Sequence, residues 1–304
     1  MGLTHFKRGV SSYGQPVLPT NGMLYGTTGN VFFVCATGGS DSYAGTDPDN
    51  PMATIDAAVN KCTASKGDVI YVMPGHAETL AAAITMDVAG VSIIGLGQGT
   101  NRGTITVAAN IDGITMTAAN CAVRNLYFVA GTAAHTATIN IAAADCEVAD
   151  CRFLCGANNL ETITITADGN YAKVERCYFT ITADGPDSAI RLEGASVGVI
   201  IRGNLFNGGD TAASTWDNAA VYSSSTPQGN VIEGNRGFYS VINGAGVQII
   251  FTGSATGILA DNYVYSDAGT GANLVDPGSM GAFNTLQCDI IDNTGGKFPV
   301  TTSA

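Results

Sequence analysis

One short template recurs through the chain and constrains its fold more than any other feature. An aliphatic residue is followed three positions on by Leu, Cys or Asn and five positions on by a large apolar residue. It reads VRNLYF from Val123, VADCRF from Val148, VERCYF from Val174, IRGNLF from Ile201 and LADNYV from Leu259. Weaker copies are IIGLGQ from Ile93, IEGNRG from Ile232, where Phe238 comes one residue late, and IIDNTG from Ile290. The starts at 93, 123, 148, 174, 201, 232, 259 and 290 are spaced by 25 to 31 residues. A period of that size marks a repeat architecture, whose units each bury their inner face on a neighbour.

The side chains select the kind of repeat. Helical repeats need apolar residues at helical spacing, whereas these segments alternate with period two and are broken by Gly, Asn and Asp. Each period also holds a further strand-like run: TITV at 104–107, ATINI at 137–141, TITIT at 162–166, AIRL at 189–192, AAVY at 219–222 and VQIIF at 247–251. Several short strands per unit, stacked unit on unit about 4.8 Å apart, make a parallel β-helix. The expectation is an all-β, single-stranded right-handed solenoid of about nine coils.

Within the template the alternation breaks parity. In CEVADCRFL, Cys146 and Val148 are two apart, as are Cys151 and Phe153, but three residues separate Val148 from Cys151. Both pairs face inward only if the chain turns a corner between them. That corner falls on Asn125, Asp150, Arg176, Gly203, Gly234, Asp261 and Asp292. Gly, Asn and Asp tolerate left-handed backbone angles, so Arg176 is the exception. Stacking then aligns Leu126, Cys151, Cys177, Asn204, Asn235, Asn262 and Asn293 in one file, and Phe128, Phe153, Phe179, Phe206 and Val264 in another. The asparagines are expected to form an internal amide ladder and the phenylalanines an apolar stack, both structural.

The segment GNVFFVCATGGSDSYAGTDPDNPMATIDAAVNKCTASKGDVIYVMPGHAETL, followed by GVSIIGLG, resembles the opening of right-handed parallel β-helix proteins of the pectate-lyase-like superfamily. There a Gly-Ser-Asp turn and a Pro-x-x-Thr-Ile-x-x-Ala helix precede the first coil, and a Gly-Asp-x-Ile-x-Val-x-Pro-Gly strand begins it. The resemblance spans residues 30 to 100 as motif and continues to about 296 as periodicity. It implies the fold, while the superfamily holds lyases, hydrolases, adhesins and phage virion proteins. Ile55, Ala58, Val59 and Cys62 make one apolar helical face, suited to capping the open end of the solenoid. The expected divisions are an anchoring arm over 1–30, a capping segment with a short helix over 31–66, the β-helix over 67–296 and a tail over 297–304.

Composition excludes several function classes. A formal charge of −12 disfavours nucleic acid and anionic membranes, and no apolar run is long enough for a membrane helix or a secretory signal. Eight cysteines in 304 residues are too sparse for a disulfide scaffold and match no zinc spacing, so they read as buried free thiols. A glycosidase or lyase of this fold would need grouped carboxylates, for which Asp145, Glu147, Asp150, Glu175 with Arg176, and Asp184 with Asp187 are the candidates. In the stacked arrangement Arg124, Ala149, Glu175, Arg202 and Glu233 share an outer file and read instead as a solvated ion ladder. Asp41, Asp47 and Asp49 lack the closing Glu of a calcium loop and read as turn formers. His5, His76 and His135 are scattered, and GLGQGTNRG, with no helix pattern after it, reads as a turn between coils. Trp216 and Tyr222 lie in an irregular stretch, 207–229, that suits a loop or a subunit contact. No catalytic residue, metal or cofactor is expected.

The first thirty residues carry no alternation but hold His5, Phe6, Lys7, Arg8, Val10, Tyr13, Val17 and Leu18, more apolar and basic character than a linker needs. They are expected to form an extended arm that orders against another subunit, as the arms of phage virion proteins do. The resulting expectation is a phage structural protein, a homotrimer fixed to the major capsid protein or another virion protein through this arm. A head decoration or cement protein is the first reading. A tail spike or fibre, a polysaccharide lyase or hydrolase, and a binder of host-surface glycan are the alternatives. The expected location is the virion, assembled in the host cytoplasm.

Overall fold

A computed structural model describes residues 10–12, 15–17, 27–108, 110–131, 135–156, 159–181, 185–208, 216, 218–238, 249–251, 254–266, 275–276, 278–283 and 286–289. Three parallel sheets wrap one core. Among the described residues they hold ten, nine and eight strands. Sheet 1 runs from Val31–Val34 to Gly281–Phe283, sheet 2 from Ala77–Leu80 to Leu286–Asp289, and sheet 3 from Ile84–Met86 to Val275–Asp276. Each coil contributes one strand to each sheet in that order, so the chain is a parallel β-helix.

Equivalent residues lie in register from coil to coil. Val123 pairs with Val148, Val148 with Val174, Val174 with Ile201 and Ile201 with Ile232, and all five are fully buried. The apolar interior is one continuous cluster from Phe32 to Met280, as expected when each unit covers the next.

The parity break is a left-handed corner between sheets 1 and 2. Asn125, Asp150, Arg176, Gly203, Gly234 and Asp261 have φ of 56°, 57°, 53°, 63°, 64° and 52°. Arg176 therefore joins the corner file rather than departing from it. Its guanidinium donates to Asp150 of the preceding coil at 2.9 and 3.1 Å and to Glu175 at 2.7 Å, which offsets a backbone cost of about 1–2 kcal/mol. The turn also reverses hydrogen-bond polarity. Amides of Asn125, Asp150 and Arg176 donate forward to Ala149, Glu175 and Arg202, while Arg152 and Tyr178, two residues past the corner, donate backward to Leu126 and Cys151.

A second left-handed file, which the template did not reveal, joins sheet 3 to sheet 1. Gly90, Asn120, Asp145, Tyr171, Gly198 and Gly229 have φ of 79°, 61°, 57°, 57°, 69° and 65°. Each lies three residues before a template start, so the signal was present one step upstream. From the Val123 coil onward both corners are tight and coil length varies at the sheet 2 to sheet 3 connection, whereas the coil before it is lengthened between sheets 1 and 2 by the segment around Gly99–Asn101.

The short helix Ile55–Val59 packs against Val31–Val34, Val69–Val72 and Ile84–Met86, with Ile55, Ala58 and Val59 buried and Cys62 half-buried beside them. Thr54 caps it by accepting from the Ala57 amide at 3.3 Å. Asp68 is fully buried and accepts from the amides of Asn30 at 2.5 Å and Thr63 at 2.7 Å, tying the entry strand to the segment after the helix. Val69–Val72 is buried on both faces, because Phe33, Val69, Tyr71 and Ile94 form a second apolar cluster on the outer side of sheet 1. Within the expected arm, Val10–Ser12 and Gln15–Val17 pair as antiparallel strands, Val10 opposite Val17, so that stretch doubles back on itself.

One defect interrupts the phenylalanine file. Gly237 stands above Phe206 in register, with Val264 above it. A cavity of about 10 Å³ is lined by Phe206, Ala220, Asn235, Arg236, Gly237, Ile249 and Val264. Gly237→Ala adds one methyl toward that space and removes glycine's unfolded-state freedom, so it is expected to stabilise the chain by about 0.5–1 kcal/mol, read as a rise in melting temperature.

Candidate functional site

The internal files are scaffold. Asn204 Nδ2 donates to Asn235 Oδ1 at 3.0 Å and Asn235 Nδ2 to Asn262 Oδ1 at 2.9 Å. Each amide also donates to a main-chain oxygen of the preceding coil: Asn204 to Val174 at 2.9 Å, Asn235 to Ile201 at 3.0 Å and Asn262 to Ile232 at 2.8 Å. The side-chain oxygens accept in turn from the Cys177, Asn204 and Asn235 amides. Asn293 lies outside the described residues. The rings of Phe128, Phe153, Phe179 and Phe206 stack at 5.1, 4.8 and 5.1 Å with interplanar angles of 10°, 8° and 16°.

Cys121, Cys146, Cys151, Cys155 and Cys177 are buried free thiols, while Cys35 and Cys62 are half-buried. Burial pushes the Cys155 thiol up to about 12, which leaves it a protonated packing group rather than a nucleophile.

Outer-face carboxylates are bound into ion pairs. Glu147 takes a bidentate contact from Arg124 at 3.0 and 2.6 Å. Asp150 and Glu175 meet Arg176, and Arg202 bridges Glu175 at 3.7 Å and Glu233 at 3.2 Å. Asp145 occupies the second left-handed corner, and the Asp187 carbonyl accepts from the Asn218 amide. Asp184 lies outside the described residues. Asp41 accepts from the Ala53 and Thr54 amides and the Thr54 hydroxyl, all at the start of the helix, and Asp47 accepts from the Asp49 amide at 3.0 Å. The Asp47 contact is that of a turn, whereas Asp41 ties its loop to the start of the helix 12 to 13 residues on. Among the described residues, no three His, Cys, Asp or Glu side chains gather as a metal site.

His76 is buried; its Nδ1 accepts from the Ala36 amide at 2.9 Å and its Nε2 faces Glu78 Oε2 at 3.1 Å. Since Nδ1 must accept, the proton resides on Nε2 and is donated to Glu78. Glu78 Oε2 also accepts from the Ile55 amide at 3.2 Å, so the pair ties the first coil to the helix. His5 lies outside the described residues, as does the His135 side chain. In GLGQGTNRG, Gly99–Asn101 forms a 3₁₀ turn between strands of sheets 1 and 2, and Asn125 Nδ2 closes it by donating to the Gly95 and Gly97 carbonyls at 2.7 and 3.0 Å. Trp216 is buried, and Tyr222 carries the Arg191 guanidinium over its ring at 5.8 Å.

The arrangement with the most chemical character was not singled out in the sequence. Ala137, Glu161, Ser188 and Ala219 are equivalent residues of sheet 3 in successive coils. Glu161 is 2% exposed, accepts a short hydrogen bond from the Ser188 hydroxyl and pairs with Arg191 at 2.7 Å; Arg191 also reaches Glu193 at 3.2 Å. Burial pushes the Glu161 carboxyl above its ordinary value of 4.5, against the pull of Ser188 and Arg191. Folding thus raises this pKa, so from 4.5 up to the raised value the native chain binds more protons than the unfolded chain. Its contribution to stability falls as pH rises through that window, opposite to an ordinary paired carboxylate. Glu161→Gln is expected to flatten that slope in melting temperatures taken against pH, and a steeper fall than in the wild-type chain would contradict the assignment.

Neither a family model nor a curated protein matches the chain. Among solved structures, pectate lyase Pel9A aligns at 14% identity with a TM-score of 0.51, covering 86% of this chain and 77% of that one. A rhamnogalacturonan lyase aligns at 15% identity with a TM-score of 0.44, covering 79% and 75%. A protein described as Geobacillus virus E2 ORF18 aligns at 12% identity with a TM-score of 0.43, covering 80% and 59%. Likeness at these identities speaks for architecture alone. Stacked in-register coils, two left-handed corners and the Pel9A alignment together establish a parallel β-helix of the pectate-lyase-like fold.

Proposed function

We propose that the chain is a structural component of a bacteriophage particle, a capsid decoration or cement protein that projects from the head, anchored through its N-terminal arm. One observation carries the reading: the outer-face carboxylates a polysaccharide enzyme would use are committed to the scaffold, Glu147 to Arg124 and Asp150 and Glu175 to Arg176 and Arg202. The resemblance of the opening segment and the composition of residues 1–30 support it. On this reading several copies, three in the simplest case, stand together. His5, Phe6, Lys7, Arg8, Val10, Tyr13, Val17 and Leu18 contact the major capsid protein or another virion protein.

Labelling particles with an antibody raised against the chain tests this directly. Label on the head supports decoration, label on the tail supports the spike or fibre alternative, and particles without label refute both. Deleting residues 1–26, which removes every named contact residue of the arm but spares the Asn30 amide bonded to buried Asp68, is expected to abolish incorporation while leaving the solenoid folded.

Glu161 favours a second reading, a polysaccharide-processing or glycan-binding protein, because a carboxyl whose pKa burial raises, held by Ser188 and Arg191, is a candidate general acid. Incubation with acidic and neutral polysaccharides decides it. Cleavage that Glu161→Gln abolishes would overturn the structural reading.

A further inference from the structure

The outer face of sheet 1 changes character along the solenoid. It is apolar at Phe33, Tyr71 and Ile94, charged from Arg124 to Glu233, and apolar again where the later coils begin their sheet 1 strands. Ile200, Val231 and Ile258 are register partners in three successive coils. The residues after them, Ile201, Ile232 and Leu259, are fully buried, so strand alternation turns Ile200, Val231 and Ile258 toward solvent. Ile258 is 45% exposed, and at the adjacent corner Tyr171 is 54% and Val197 39% exposed. Tyr171 donates its amide to the Val197 carbonyl at 2.7 Å, so the corner residues extend the ridge into one patch.

The border of this patch suggests what covers it. Lys173 and Glu175 stand one coil before Ile200, and Arg202 and Glu233 flank Ile200 and Val231. Arg202 and Glu233 are half-exposed, and their pairing leaves donors and acceptors facing solvent. Two cations and two carboxylates cancel around an apolar centre, on a chain whose formal charge is −12. Over most of its surface such a chain repels a copy of itself. At this strip the repulsion is lowest and the apolar area to be removed from water is concentrated. Because the border presents both signs at neighbouring levels, a like strip can meet it with opposite charges opposed.

We propose that this strip is a self-association surface whose occupant is a second copy of the chain, with Ile200, Val231 and Ile258 at the centre of the contact and Lys173, Glu175, Arg202 and Glu233 on its rim. It assigns a face to the assembly in the proposed function and rests on that reading only for the number of copies.

Analytical ultracentrifugation of the full chain tests it. The wild-type chain is expected to sediment as a multiple of 31.0 kDa and the double variant Val231→Asp/Ile258→Asp as the monomer, with unchanged far-UV circular dichroism. The milder pair Val231→Thr/Ile258→Thr, which keeps β-branching, is expected to weaken association at least tenfold and covers the case in which the aspartates disturb the fold. A wild-type chain that stays monomeric up to millimolar concentration would overturn the proposal. So would an assembly that survives both double variants, or one lost on deleting residues 1–26 but kept in the aspartate variant. Particle labelling reads the virion assignment separately, since a labelled particle with monomeric chain and an unlabelled particle with assembled chain are distinct results.

Discussion

Asn235→Ala is expected to destabilise the chain by about 3–5 kcal/mol, because it orphans several buried groups at once. Asn235 Oδ1 accepts from the Asn204 amide at 2.9 Å and from Asn204 Nδ2 at 3.0 Å, and its own Nδ2 satisfies the Ile201 carbonyl and Asn262 Oδ1. Truncation leaves those donors and acceptors facing one another across dry space. Asn235→Asp is the sharper control. It keeps shape and acceptor but sets a carboxylate against the two oxygens that Nδ2 had bonded, so it is expected to be at least as damaging at neutral pH. Chemical denaturation combined with amide hydrogen exchange of the flanking coils reads both. An Asn235→Asp variant as stable as the wild-type chain would refute the ladder.

Phe179→Ala is expected to cost about 3–5 kcal/mol, toward the upper end for a phenylalanine truncation. Phe179 is fully buried between Phe153 and Phe206, at 4.8 and 5.1 Å, so its loss removes two ring contacts. The surroundings cannot close the gap, since coil spacing is set by hydrogen bonds along all three sheets. Phe206→Ala should cost less, as Phe206 has Gly237 on its other side and already borders a cavity. Equal losses at the two positions would show that stacking between coils is not what holds this file. Because coils interact with nearest neighbours, the loss is expected to appear first in exchange protection near the substituted coil.

The architecture was legible because the coil repeat acts on the sequence as a selection rule. A residue facing inward at Val148 has counterparts at Val123 and Val174 in the same environment, so the same chemistry recurs one period apart. The corner between sheets 1 and 2 was legible for the same reason, since left-handed angles concentrate Asn, Asp and Gly in one file. Arg176 looked anomalous because its compensation is the carboxylate of Asp150, 26 residues away. The second corner went unread because its residues lie three positions before the template start, outside the aligned segment, although five of the six are Gly, Asn or Asp as in the first file.

The Glu161 group was less legible. Glu161 sits at the head of a strand that reads TITIT, and nothing local distinguishes it from a solvated glutamate. Its burial, the Ser188 hydroxyl and the Arg191 guanidinium all arrive from the next coil. The apolar ridge at Ile200, Val231 and Ile258 was hidden similarly, because each residue adjoins a core aliphatic and reads as part of one buried run until strand parity turns it outward.

By itself the sequence determined that the chain coils, with what period, which residues line the interior and where one of its corners lies, because those properties recur with a spacing that neighbouring coils must share. Only the tertiary structure decided which charges pair, which carboxyl is buried and which apolar residues face water, since each depends on what the adjacent coil places within a few ångströms, and that neighbour is about 25 to 31 residues distant along the chain.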